Sequence, residues 1–201
     1  EELPSDADIA LICVSDNAIA EVAAALAAKR VEGIVAHTSG ATPMEALSAF
    51  PRHGVFYPLQ TFSKGRELSY AELPIFIEGS DTATTQLLWH MAELITRDVH
   101  GADSVFRKRL HLAAVFACNF TNHLYAIADT LLREDGLDIN VLKPLIRETV
   151  AKLDDGTPME MQTGPAVRGD TATMAAHLKL LASHPDYQEI YRLLSRSIRR
   201  G

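Results

Sequence analysis

Apolar residues in the first hundred positions come in short unbroken runs, separated by stretches in which they recur every three or four residues. Ile9-Ala10-Leu11-Ile12-Cys13-Val14 is one such run, and it fits a parallel strand covered on both faces. Ser15, Asp16 and Asn17 are each good N-caps, and Ile19, Val22, Ala23 and Leu26 follow at helical spacing, predicting a helix over residues 18–30. Gly33 ends that segment and Ile34-Val35-Ala36 is the next strand, so the unit is strand–helix–strand with a parallel, right-handed crossover. His37-Thr38-Ser39-Gly40 then reads as a turn, residues 43–50 as a short helix, and residues 54–57 as a third strand ended by Pro58. A polar loop at 63–72 leads to a fourth strand at 73–79. A helix capped by Asp81 or Thr82 runs to about residue 95, and residues 97–99 form an edge strand.

From residue 102 onward only the helical period survives. Residues 107–128, RKRLHLAAVFACNFTNHLYAIA, hold no acidic residue, and their apolar side chains run around every side of a helix, which predicts a central helix with little solvent contact. It is expected to continue to about residue 134. A helix at 139–153 follows the Asp135-Gly136 stop, then a Gly- and Pro-rich stretch at 156–170, then helices at 171–183 and 186–200 broken at His184-Pro185. The change near residue 100 marks the expected domain boundary. Residues 1–100 are an incomplete, parallel-sheet α/β Rossmann-like domain, and residues 101–201 an all-α domain. Residues 1–5 lead almost at once into a strand, an opening that reads as mid-domain.

Composition narrows the function classes. The 201 residues are 47% hydrophobic and 22% charged, ordinary for a globular protein. A net charge of −7 argues against nucleic acid or an acidic membrane as a partner. Cys13 and Cys118 lie in apolar runs without C-x-x-C spacing, which predicts buried free thiols in a reducing cytoplasm. No segment reads as membrane-spanning or as a signal peptide. The eight histidines show no H-x-x-x-H spacing, so no metal is expected.

At roughly 100° per residue, Lys108, His111, Val115, Asn119 and Asn122 fall in a stripe about 80° wide. A cation, an imidazole and two amides on a buried helix need partners, and a cleft holding a polar ligand supplies them. The alternative is a line that faces water. In open parallel sheets ligands bind off the carboxyl ends of the strands. The residues there are Ser15-Asp16, His37-Thr38-Ser39-Gly40 and Tyr57-Pro58-Leu59-Gln60. Gly40 allows close backbone approach, and His37 and Ser39 offer groups to donate to a substrate oxygen or exchange a proton, unless they only close a turn. Gln60 contacts substrate or fixes its own loop. In Gly164-Pro165-Ala166-Val167-Arg168-Gly169-Asp170, Arg168 presents a planar fork for a carboxylate or phosphate, and Asp170 caps the next helix. Ser39 lacks a G-x-S-x-G elbow, which weighs against a Ser-His-Asp hydrolase.

Taken together, HTSGATPMEAL, GVFYPLQTFS, the K-x-x-H and N-x-x-N of the central helix, and TGPAVRGD resemble the bacterial Rossmann-like plus DUF2520 proteins. That family is similar to NADP-dependent reductases with a helical C-terminal domain like that of 6-phosphogluconate dehydrogenase. The resemblance spans essentially the whole chain. It implies hydride transfer between NADP and a small carboxylate-bearing carbonyl or imine, in a site between the two domains of a homodimer joined through its helices. It places Val14, Ser15, Asp16, His37 and Gly40 beside the cofactor. Lys108 is then the proton donor, with Asn119 orienting it and His111 and Ser39 beside it; Asn122, Gln60 and Arg168 contact substrate. The family pattern opens with a strand, a G-x-G-x-x-G turn and a helix, and residues 1–201 contain none of these. The expectation is that this chain by itself binds NADP poorly. A ligand-binding sensor or a structural dimerisation module using the same cleft is the alternative reading.

Overall fold

Five strands form one sheet in sequence order: β1 (Ile9–Ile12), β2 (Ile34–His37), β3 (His53–Pro58), β4 (Ile75–Gly79) and β5 (Val99–Gly101). The coordinates are a computed structural model that describes residues 7–29 and 31–200. Residues 1–5 and Arg30, the expected end of the first helix, lie outside the described residues. The pairings β1–β2, β2–β3 and β4–β5 are parallel, and β3–β4 is antiparallel. The sheet is therefore mostly parallel, with one reversal that apolar runs do not encode.

Helix α1 (Ile19–Ala28) enters through a 3₁₀ turn at Asp16–Ala18 and packs Ile19, Ala23 and Leu26 against Ala10, Ile12 and Val35 on one face of the sheet. Helix α2 (Thr82–Glu93) places Leu88 and Ala92 against Ile34, Ala36, Phe56, Ile75 and Ile77 on the other. Every residue of β2 is buried, as a strand covered on both faces requires. Strand β1 departs from that expectation. Leu11 is exposed, because among the described residues nothing covers its second face, and Cys13 and Val14 beyond it are exposed as well. Cys118 is also exposed, so neither thiol is buried.

The described chain divides into two compact units, Glu1–Phe120 and Thr121–Gly201. The first ends with α3 (Ser104–Ala114) and a π-helical turn at Val115–Phe120. Helix α3 sets Leu110 against Val55, Tyr57 and Phe76. The expectation of a helix closed to solvent fails here: Leu112, Phe116 and Phe120 are 58%, 62% and 51% exposed. The second unit contains α4 (Thr121–Glu134), α5 (Lys143–Ala151), α6 (Thr171–Leu180) and α7 (Pro185–Ile198), with no strand among its described residues. The Asp129 carboxylate accepts the Ile139 N–H (2.8 Å), and Tyr191 and the His177 ring, 2.9 Å apart, tie α7 to α6. No helix among the described residues is long and apolar enough to cross a membrane.

Candidate functional site

Strand β2 delivers His37 to the carboxyl edge of the sheet, and the chain then turns sharply through Ser39 and Gly40. The turn is closed from within. The Ser39 N–H donates to His37 Nδ1 (3.2 Å), and the Ser39 hydroxyl accepts the N–H groups of Ala41 (3.1 Å) and Thr42 (2.8 Å) while meeting the Thr42 hydroxyl at 3.0 Å. Because Nδ1 accepts, the His37 proton sits on Nε2, which points to the Pro43 carbonyl at 3.4 Å. Burial holds the His37 pKa below its ordinary value, and nearby Arg107 adds to that, against the Pro43 hydrogen bond and the acids Asp16 and Glu78. His37 and Ser39, expected to face a ligand, are instead the buried interior of this turn.

Helix α3 is pinned to the same turn by Arg107, a fully buried residue. Strand alternation and the Val55–Glu78 pairing aim Glu78 at the α3 side of the sheet, where its carboxylate meets Arg107 Nη1. Arg107 Nε donates to the Ser39 carbonyl (3.2 Å), and Nη2 to the Thr42 carbonyl (2.7 Å) and the Ser104 hydroxyl (3.2 Å). Glu78 also takes the Ser104 N–H (3.0 Å) and hydroxyl (2.9 Å). With this planar fork satisfied on every side, the start of α3 has one register against the turn.

Four residues on from Arg107, on the same helical face, is His111. Its Nδ1 lies 3.2 Å from the hydroxyl of Tyr57, near the carboxyl end of β3. A Cβ on Gly40 would fall 2.7 Å from His111 Nδ1, 2.7 Å from Tyr57 Cζ and 2.8 Å from its hydroxyl. The Tyr57–His111 pair packed against it thus by itself requires glycine at position 40. Burial raises the Tyr57 pKa, as does Asp16, against the lowering effect of Arg107, so the phenol stays protonated beside the ring.

The remaining expected residues separate. Val14, Ser15 and Asp16 are exposed after β1, and Ser15 makes no side-chain cap, leaving its hydroxyl open. Gln60 is exposed and accepts its own neighbour's N–H, that of Thr61 (2.8 Å), so it fixes its loop. Lys108 and Asn119 are exposed. Asn119 stands in the π turn, whose wider winding takes it off the single line drawn for an unbroken α-helix. In the second unit Asn122 on α4 and Arg168 are both exposed, and Asp170 caps α6 through Thr173 (3.0 Å to its N–H, 2.7 Å to its hydroxyl). Among the described residues no group of three or more His, Cys, Asp or Glu side chains is placed to hold a metal ion.

Sequence reasoning passed over Arg107 and Glu78 and noted Tyr57 only as part of a strand end. The signal was available: Glu78 is a lone charge in IFIEG, on the same alternation as Phe76, and an inward acid needs a cation.

A family model described as a domain of unknown function, DUF2520, matches residues 73–198. A crystal structure described as that of a candidate NADP oxidoreductase from Bacteroides fragilis is 44% identical, with a TM-score of 0.94 over 100% of this chain and 78% of that one. A Thermotoga maritima protein of 22% identity superposes with a TM-score of 0.79 over 100% of this chain and 81% of that one. A reductive aminase from Aspergillus terreus in complex with NADPH and ethyl levulinate is 16% identical, with a TM-score of 0.64 over 97% of this chain and 75% of that one. The last two share the fold. No curated protein matches the chain.

Proposed function

The chain belongs to the DUF2520 family, and from that premise we propose that it acts as an NADP-dependent oxidoreductase. The observation that carries the reading is the rim at the carboxyl ends of β1–β3, where a free Ser15 hydroxyl, an exposed Val14 and the Tyr57–His111 pair converge on one edge of a mostly parallel sheet. The 44%-identical relative, itself described as a candidate NADP oxidoreductase, supports it.

The donor set suits the nicotinamide end of such a cofactor: Val14 offers an apolar contact for the ring, and Ser15 a hydroxyl for its carboxamide. Bound there, the cofactor supplies a hydride. The substrate class is a small carbonyl or imine bearing a carboxylate. Asn122 and Arg168 are the second-unit groups with the chemistry to recognise that carboxylate. Lys108, His111 and Asn119 are the groups of the first unit that remain open to take part in proton transfer and orientation. The second unit is the element through which two copies associate.

The test is NADPH oxidation by the full-length protein, followed at 340 nm over a panel of 2-oxo acids and cyclic imines, with NADPH binding measured by fluorescence. Turnover with at least one substrate is expected. A protein that neither binds NADPH nor oxidises it with any member of the panel is not an oxidoreductase of this class.

A further inference from the structure

We propose that His111 hands over the proton in this reaction, and that Tyr57 is a positioning residue that holds the imidazole as its Nε2–H tautomer. The inference rests on the oxidoreductase reading above. The Tyr57 hydroxyl and His111 Nδ1 lie 3.2 Å apart. On this assignment the phenol O–H donates along that line to Nδ1, which leaves the ring proton on Nε2. Nε2 has no protein partner among the described residues. Since no buried side-chain nitrogen or oxygen there lacks one, Nε2 opens to solvent. The imidazole is therefore oriented at one nitrogen and free at the other, as a proton donor needs to be.

Gly40 adds a second observation, because any larger residue would occupy the space of the pair itself. Lys108, one turn earlier on α3, is exposed and has no hydrogen-bond or ion-pair partner among the described residues, so nothing aims its ammonium. The charged groups that bear on the pair are Asp16 and Arg107.

The balance is simple. When a substrate carbon accepts a hydride from a dihydronicotinamide, the C=O or C=N π pair moves to oxygen or nitrogen and takes the proton from His111 Nε2. The Tyr57 hydroxyl proton shifts to Nδ1 as Nε2 loses its own and is replaced from water in the same concerted step, so that no free phenolate or imidazolate accumulates. One hydride and one proton enter the substrate, and the nicotinamide is left oxidised.

The test uses the full-length protein with two readouts, NADPH turnover and ¹⁵N-histidine NMR. In the wild type the His111 shifts should report one tautomer, protonated at Nε2. Tyr57→Phe keeps the ring packed on Phe76 but removes the hydroxyl. It should mix the tautomers and lower kcat by about 10-fold, and His111→Ala should lower kcat by at least about 100-fold with NADPH affinity held within about 2-fold. The assignment is overturned if His111→Ala turns over like wild type, if Tyr57→Phe leaves the tautomer populations unchanged, or if Lys108→Ala abolishes turnover that His111→Ala retains. In each of those cases wild-type turnover leaves the oxidoreductase reading standing. A wild type without NADPH binding or turnover overturns both.

Discussion

Arg107 is a buried cation whose partners come from three separate segments: Glu78 on β4, the Ser39 and Thr42 carbonyls after β2, and Ser104 on its own helix. Arg107→Met leaves the half-buried Glu78 without its cation and two carbonyls without donors. Breaking such a pair costs about 3–5 kcal/mol, and urea denaturation should show a loss of that order. The double variant Arg107→Met/Glu78→Leu should recover only part of it, because the carbonyls of Ser39 and Thr42 stay unpaired. Gly40→Ala tests the neighbouring contact. Its Cβ would overlap Tyr57 and His111, and overpacking of this kind costs about 1–3 kcal/mol. A lowered thermal midpoint together with loss of the single-tautomer His111 signal is expected; a fully wild-type melt would mean that the turn shifts freely. His37 sets a pH dependence. Its folded pKa lies below the ordinary value because burial disfavours the cation, so the unfolded chain takes up a proton first as pH falls. Its contribution to stability is complete above about pH 6.5 and declines as pH falls below that toward the folded value. His37→Gln should flatten the slope of urea midpoint against pH between about 7.5 and 5.5.

At the scale of elements, α2 shows how closely local chemistry can dictate structure. The Asp81 carboxylate accepts the Thr84 N–H (2.7 Å) and hydroxyl (2.9 Å), and those bonds hold its pKa below the usual carboxylate range. Asp81→Ala should lower the denaturation midpoint and Asp81→Asn should restore most of it, since Asn caps nearly as well. If both variants behaved alike, the cap would not be what starts this helix. Elements governed by such nearest-neighbour rules were legible in the sequence: the Asp81 and Asp170 caps, the Gly136 stop with its positive φ, and the apolar runs of β2 and β4. What the sequence could not carry was set by distant partners. Strand direction is the clearest case, since β4 has the same composition whether it runs with β3 or against it. The burial of Leu11 and Cys13 was misjudged for the same reason: an apolar run predicts cover, but another element has to supply it. The line through Lys108, His111 and Asn119 assumed 3.6 residues per turn, which the π turn at Val115–Phe120 does not keep.

For the molecule as a whole, the motif-bearing loops lie at the carboxyl edge of the sheet, and the groups that shape that edge are mostly those that hold loops together. Ser39, His37 and Gln60 spend their side-chain polar atoms on their own turns, and Tyr57 and His111 meet across the contact of β3 with α3 that Arg107 and Leu110 hold. The same accounting applied to apolar groups bears on association. In the second unit Leu145 and Val150 on α5 and Leu193 on α7 are 64%, 57% and 57% exposed. Exposed apolar side chains on helix surfaces suit an interaction site, and in a symmetric dimer such a surface meets its own copy. We therefore expect light scattering on this 22.0 kDa chain to give about twice that mass. Leu145→Glu combined with Leu193→Glu places charges in the proposed interface and should return the monomer, with the helical circular-dichroism signal unchanged. A wild-type chain that remains monomeric at tens of micromolar would mean that these leucines face something other than a second copy.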